Sequence, residues 1–231
     1  MTQPNTTPSP EAPVSGASDA YEAFLRQKRI VVRPSGFDVD PSALNPLLFD
    51  WQKDIVRLSL RRGRSAMFAD CGLGKTAMQL EWAHHVARHT DGAVLILTPL
   101  AVSSQTMGES DKFHIPNVRI VSDQSQVQNG INITNYEKLH HFDASAFSGV
   151  VLDESSILKS YDGKTRTQII ESFRDTRYKL ECSATPAPND FMELGNHSEF
   201  LNVMRRMEML ATFFIHDGSN TSEWRLKGHA R

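Results

Sequence analysis

Short apolar runs alternate along this chain with stretches whose apolar residues recur at helical spacing. Ser65 to Phe68, Ala93 to Leu97, Val118 to Val121, Ile131 to Ile133 and Gly149 to Leu152 read as strands, and Tyr178 to Cys182 as a further one with alternating polarity. Runs that are apolar at successive positions suit strands covered on both faces, the situation of a parallel sheet. Between them, Ile55, Val56, Leu58 and Leu60 mark one helix, Met78, Leu80, Trp82 and Ala83 a second, Val102 to Gly108 the start of a third and Thr165 to Phe173 a fourth. Asn129-Gly130 supplies the turn between two of the strands. The expected architecture is therefore α/β with three layers, a mostly parallel sheet carrying helices on both faces.

The flanks differ in character. Residues 1–17 are rich in Thr, Pro and Ser without an apolar face and are expected to be disordered. In an accessory segment, 18–44, Ser18 or Asp19 would cap a helix to Arg29, and Ile30 to Val32 would form a strand stopped by Arg33-Pro34. The main domain is expected over 45–215. Its last helices, Phe191 to Leu201 and Val203 to Phe214, would turn Met204, Met207 and Leu210 to a core. Residues 216–231 read as the start of a connection.

Composition narrows the class. A chain of 231 residues with 39% apolar composition can bury one ordinary core. The net charge of -2 gives no global basic signature, so any nucleic-acid contact must come from a local patch or backbone amides. Two cysteines, Cys71 and Cys182, are too few for a disulfide framework or a four-ligand zinc site. Both fall in segments expected to face a nucleotide cleft, and a reducing cytoplasm fits them. His84, His85 and His89 are expected near a helix end, set against its dipole rather than a metal.

Candidate chemistry centres on Ser65 to Leu80, read as strand, phosphate loop and helix. Gly72 and Gly74 let the backbone aim its N–H groups at phosphate oxygens, and the following helix N-terminus adds attraction. Lys75 would reach the terminal phosphates and the Thr76 hydroxyl would hold Mg²⁺. A second Gly-Lys-Thr at 163–165 has no preceding strand and reads as a loop or helix start. Asp153 and Glu154 follow four strand residues. They would arrive at the C-terminal sheet edge, where Asp153 can hold Mg²⁺ and Glu154 can orient water. Ser183, Ala184 and Thr185 end another strand; their hydroxyls would either bond that acid pair and sense the third phosphate or simply cap the turn before Pro186.

These segments carry a resemblance. Ala69 to Thr76 matches the A-x-x-G-x-G-K-T form of the first motif of superfamily-two helicases and translocases. Together with Gln52, LTP at 97–99, ITNYEKL at 133–139, VVLDESS at 150–156 and SATP at 183–186, it follows the order of the first motor domain of those proteins. The set is most similar to the Swi/Snf-related branch, of a type found in phages and prophages, and departs from it at Ser156 and at SATP. The resemblance implies a RecA-like fold that binds ATP and Mg²⁺ through Asp70, Cys71, Gly72, Leu73, Gly74, Lys75 and Thr76, with Gln52 reading adenine. It implies catalytic roles for Lys75, Asp153 and Glu154, metal binding by Thr76 and Asp153, and coupling through Ser183, Ala184 and Thr185. Thr98, Pro99, Thr134 and Asn135 would touch the backbone of a nucleic acid, double-stranded DNA by this branch. A second RecA-like domain, elsewhere in the protein or in another chain, would bring an arginine finger, leaving hydrolysis by this chain alone weak. The alternative is a non-catalytic module that binds DNA or a partner in a nucleotide-dependent way.

Overall fold

The computed structural model describes residues 32–159, 163–216 and 224–228. The chain divides into two units, residues 1–33 and Pro34–Arg231. The expected tail over 1–17 and the helix to Arg29 lie outside the described residues, as do Ile30 and Val31. Val32 is half exposed and in no strand.

In the second unit, six strands form one sheet: β1 (Arg64–Phe68), β2 (Ala93–Thr98), β3 (Val118–Ile120), β4 (Gly130–Asn135), β5 (Phe147–Asp153) and β6 (Tyr178–Ser183). Their order is β1-β6-β5-β2-β4-β3, and every pairing is parallel. Parallel strands need crossovers, and the intervening helices supply them on both faces. Helices α1 (Asp50–Arg62), α2 (Lys75–Thr90) and α3 (Ser103–Lys112) serve one face, where Val56, Leu60, Met78 and Trp82 pack on Val94, Ile96, Val151 and Leu180. Helices α4 (Lys164–Ser172) and α5 (Leu194–Phe200) serve the other, where Ile169, Phe173 and Phe200 meet Leu95, Leu97, Val150 and Leu152. The two-residue period of β2 and β5 thus divides their side chains between two dry cores. Among the described residues no helix is long and apolar enough to cross a membrane.

Several expectations shift. Helix α2 runs on to Thr90 before Asp91 turns left-handed, so His84 and His85 lie inside it rather than at its end. His85 is buried with its Nε2 3.0 Å from Glu81 Oε1, while His89 stacks on Phe37 at 3.8 Å between ring centroids. Cys182 is fully buried in the core beside α2 and does not face a cleft, because its strand position points it inward. Helix α6 (Arg206–Phe213) starts later than the apolar spacing suggests, behind the N-cap Arg205, whose N–H donates to Glu208 Oε2 at 3.1 Å. That phase buries Met209 and Leu210 and leaves Met207 62% exposed. Beyond it, Phe214–His216 (β7) pairs antiparallel with Trp224–Leu226 (β8), where the sequence suggests an open connection. The second Gly-Lys-Thr is a helix start: Gly163 caps α4.

Candidate nucleotide site

Because all six strands run the same way, their C-terminal ends share one edge. Phe68 sits opposite Ser183, Asp153 opposite Cys182, Leu97 opposite Leu152 and Thr98 opposite Asn135. The register therefore brings the phosphate loop, the SATP loop, the Asp153-Glu154 turn and the segments after β2 and β4 to one rim, with neighbouring strands about 4.8 Å apart. In such sheets ligands lie beyond that rim.

The loop has the conformation its glycines allow. Gly72 and Gly74 have φ of 80° and 74°, in the left-handed region that disfavours side chains. A Cβ on Gly74 would also collide with Gln52 Nε2. Asp70 Oδ1 accepts the Cys71 N–H at 2.7 Å, which fixes the first bend. Lys75 Nζ donates to the carbonyls of Ala69 at 2.9 Å and Asp70 at 3.1 Å, folding the ammonium over the loop. Cys71, Gly72 and Leu73 are exposed, and Lys75 and Thr76 are half-buried at the first turn of α2.

Gln52 is brought to the loop, but as a brace. Its Oε1 accepts the Phe49 N–H at 3.0 Å, closing the start of α1, and its Nε2 donates to the Leu73 carbonyl at 3.1 Å. The side chain is only 5% exposed. One amide hydrogen and one lone pair stay uncommitted, so adenine recognition would have to use those.

The acid pair occupies contrasting settings. Asp153 is buried, and this burial, aided by Glu154, pushes its carboxyl up to about 6 against the opposing influence of the Gln79 amide and Lys75. Gln79, which no motif singles out, is completely buried beside Asp153, yet neither amide atom closes a hydrogen bond of ordinary geometry among the described residues. Tyr136, within the ITNYEKL segment but given no role by it, donates its hydroxyl to the Asp153 carbonyl at 2.7 Å. Glu154 has a φ of 54°, an unusual left-handed backbone for a non-glycine residue. Such conformations cost about 1 to 3 kcal/mol and cluster at functional sites.

The raised Asp153 pKa makes stability depend on pH. The folded chain holds this proton more tightly than the unfolded chain does, so the stability from this group is fully present below a pH of about 4. It is lost as pH climbs through about 6, where the folded carboxyl ionises. Asp153→Asn should therefore stabilise the metal-free protein at neutral pH by roughly 3 kcal/mol, at 1.36 kcal/mol per pKa unit over the rise from 3.8 to about 6. Urea unfolding with a chelator present, at acid and neutral pH, would show the difference between variant and wild type growing with pH.

At the next strand, Ser183 is fully buried; its Oγ accepts the Thr185 N–H at 3.0 Å and its carbonyl accepts the Ala69 N–H at 3.2 Å. The loop through Ala184 and Thr185 is thus tied to the phosphate loop. Among the described residues no hydrogen bond joins it to Asp153 or Glu154; the Ser183 hydroxyl closes the turn before Pro186.

The proposed nucleic-acid contacts are placed differently from expectation. Thr98 is fully buried, with Oγ1 2.8 Å from Ser103 Oγ and 3.4 Å from the Thr134 carbonyl. Thr134 is buried, and Asn135 accepts the Lys138 N–H at 3.2 Å to cap the turn Tyr136–His141. The Asn135 carboxamide closes local backbone and the Thr98 hydroxyl meets Ser103, while the Thr134 hydroxyl is buried without a hydrogen-bond partner among the described residues. Of the four, Pro99 alone is partly exposed, beside Leu100 at 69% exposure.

No protein-family model matches the chain, and no curated protein matches it in sequence. Solved structures do resemble it. The SWI2/SNF2 ATPase core of Sulfolobus solfataricus, solved in complex with double-stranded DNA, aligns with a TM-score of 0.63 at 20% identity over 76% of this chain and 40% of that one. The UvsW helicase of bacteriophage T4 aligns with a TM-score of 0.54 at 16% identity over 80% of this chain and 64% of that one. The chain thus spans less than two thirds of either protein. At these identities the likeness concerns the fold, which is RecA-like: a parallel sheet with helices on both faces.

Proposed function

We propose that this chain is the ATP-binding first motor domain of an ATP-dependent DNA translocase or helicase, completed by a second RecA-like domain. One observation carries the reading: two left-handed glycines feed a phosphate loop into α2 on the same sheet rim as a buried aspartate with a raised pKa. The residues fit the nucleotide. Backbone N–H groups from Gly72 to Thr76 suit phosphate oxygens, and the Lys75 ammonium exchanges two carbonyl partners for the terminal phosphates. Thr76 and Asp153 supply the oxygens that would hold Mg²⁺, whose charge would neutralise the β- and γ-phosphates. Glu154, set off the strand line by its left-handed backbone, orients a water for in-line attack. Gln52 reads the adenine edge with its uncommitted hydrogen and lone pair. Duplex DNA is the proposed partner, in keeping with the archaeal relative solved on it.

The engaged state of Lys75 and Gln52 also suits the second reading, a nucleotide-dependent binding module without turnover. Phosphate release in the presence of duplex DNA separates the two. With the second domain present, a motor domain releases phosphate when DNA is added, and Glu154→Gln should lower that rate by about 10²- to 10⁴-fold while Mg·ATP still binds. Bound ATP that stays intact with DNA and the second domain present would favour the binding module.

A further inference from the structure

Strand β6 carries two charges that the fold buries completely, Lys179 and Glu181. Isolated buried charges are strongly unfavourable, so their partners reveal what the arrangement secures. Both point to the α5 side of the sheet. Lys179 Nζ donates to the carbonyls of Phe200 at 2.9 Å and Arg174 at 3.2 Å, which fastens the end of α5. Glu181 Oε2 lies 2.9 Å from His197 Nδ1, in the middle of α5.

The other His197 nitrogen leads out of this pair to the site. Nε2 lies 2.8 Å from the carbonyl of Pro186, the last residue of the SATP loop. A carbonyl can only accept, so Nε2 carries a hydrogen, and the link to Glu181 closes whichever of the two groups holds the remaining proton. The neighbouring residue makes the matching contact on the opposite loop. Asn196 Nδ2 donates at 2.7 Å to the carbonyl of Leu158, in the turn Ser155–Lys159 that directly follows Glu154. Asn196, His197 and Leu158 are all buried, so water does not readily replace either bond.

We propose that Asn196 and His197 are positioning residues, which hold the turn after Asp153-Glu154 and the SATP loop to one short helix so that a nucleotide-driven shift in either is passed to the other. This rests on the ATP-binding reading above. Glu181 and Lys179 serve it indirectly, by fixing α5 to the sheet and orienting the imidazole.

Amide hydrogen exchange on the full chain tests it, with Mg·ADP compared against a non-hydrolysable Mg·ATP analogue. In the wild type, amides of both 155–159 and 183–186 should exchange several-fold more slowly with the analogue than with Mg·ADP. His197→Phe keeps the ring and its edge contact with Phe68 but loses both polar links. It should abolish the difference in one segment while nucleotide affinity stays within a factor of a few. Asn196→Ala, which leaves the buried charges paired, should do the same. Glu181→Gln should preserve the response, because a carboxamide can donate to Nδ1 while Nε2 still serves Pro186. Variants that respond like wild type, or a wild type with identical protection in both nucleotide states, would overturn the proposal and leave nucleotide binding standing. A wild type that binds neither nucleotide would remove both readings.

Discussion

A second RecA-like domain supplied in trans should raise phosphate release from this chain by about 10³- to 10⁵-fold, the contribution typical of an arginine finger. Phosphoryl transfer spreads negative charge over the equatorial oxygens, and catalysis consists largely of placing positive groups against them. Here the loop amides and Lys75 approach from the side of β1 and α2, and Cys71, Gly72 and Leu73 of that loop are exposed. A facing domain would cover that opening, exclude water and add its own cation. The increase should vanish when the arginine of that second domain is replaced by alanine. Equal rates with and without the domain would contradict a two-domain cleft.

The second large effect concerns binding. Lys75→Ala should weaken Mg·ATP affinity by about 100-fold, since hydrogen bonds to charged groups contribute roughly 1.5 to 3 kcal/mol and this ammonium would make more than one of them. The same change should alter the stability of the nucleotide-free protein by less than about 1 kcal/mol. In that state Lys75 bonds two loop carbonyls in a half-buried setting, where water can substitute. Calorimetric titration paired with urea unfolding separates the two quantities. Unchanged affinity in the variant would place the phosphates elsewhere.

Much of this fold is legible in sequence because the parallel sheet demands it. Strands β2 and β5 must be apolar on both faces, and they read so without help from partners. The phosphate loop is equally plain, since Gly72 and Gly74 hold conformations that other residues resist. Strand β6 shows where such reading stops. Lys179 and Glu181 give it the alternation of a half-exposed strand, yet both are buried. Their partners, the Phe200 carbonyl and His197, are about twenty residues away in the chain, and no local pattern announces them. Thr98, Thr134 and Asn135 pose the converse problem: small polar residues at strand ends look available for a ligand, while here all three are buried, Thr98 against Ser103 and Asn135 as the cap of the Lys138 N–H. Gln52 lies against the phosphate loop, yet its sequence position does not distinguish an amide that braces a loop from one that waits for adenine.

An ATP site at the rim of Gly72 to Thr76 has a direct consequence for binding. The direct measurement is an equilibrium titration of the wild-type chain with ATP, with and without Mg²⁺. Saturable one-site binding that is tighter than about 1 mM and strengthened by Mg²⁺ is the predicted result, corresponding to at least about 4 kcal/mol. No saturable binding at several times that concentration, with Mg²⁺ present, would contradict it.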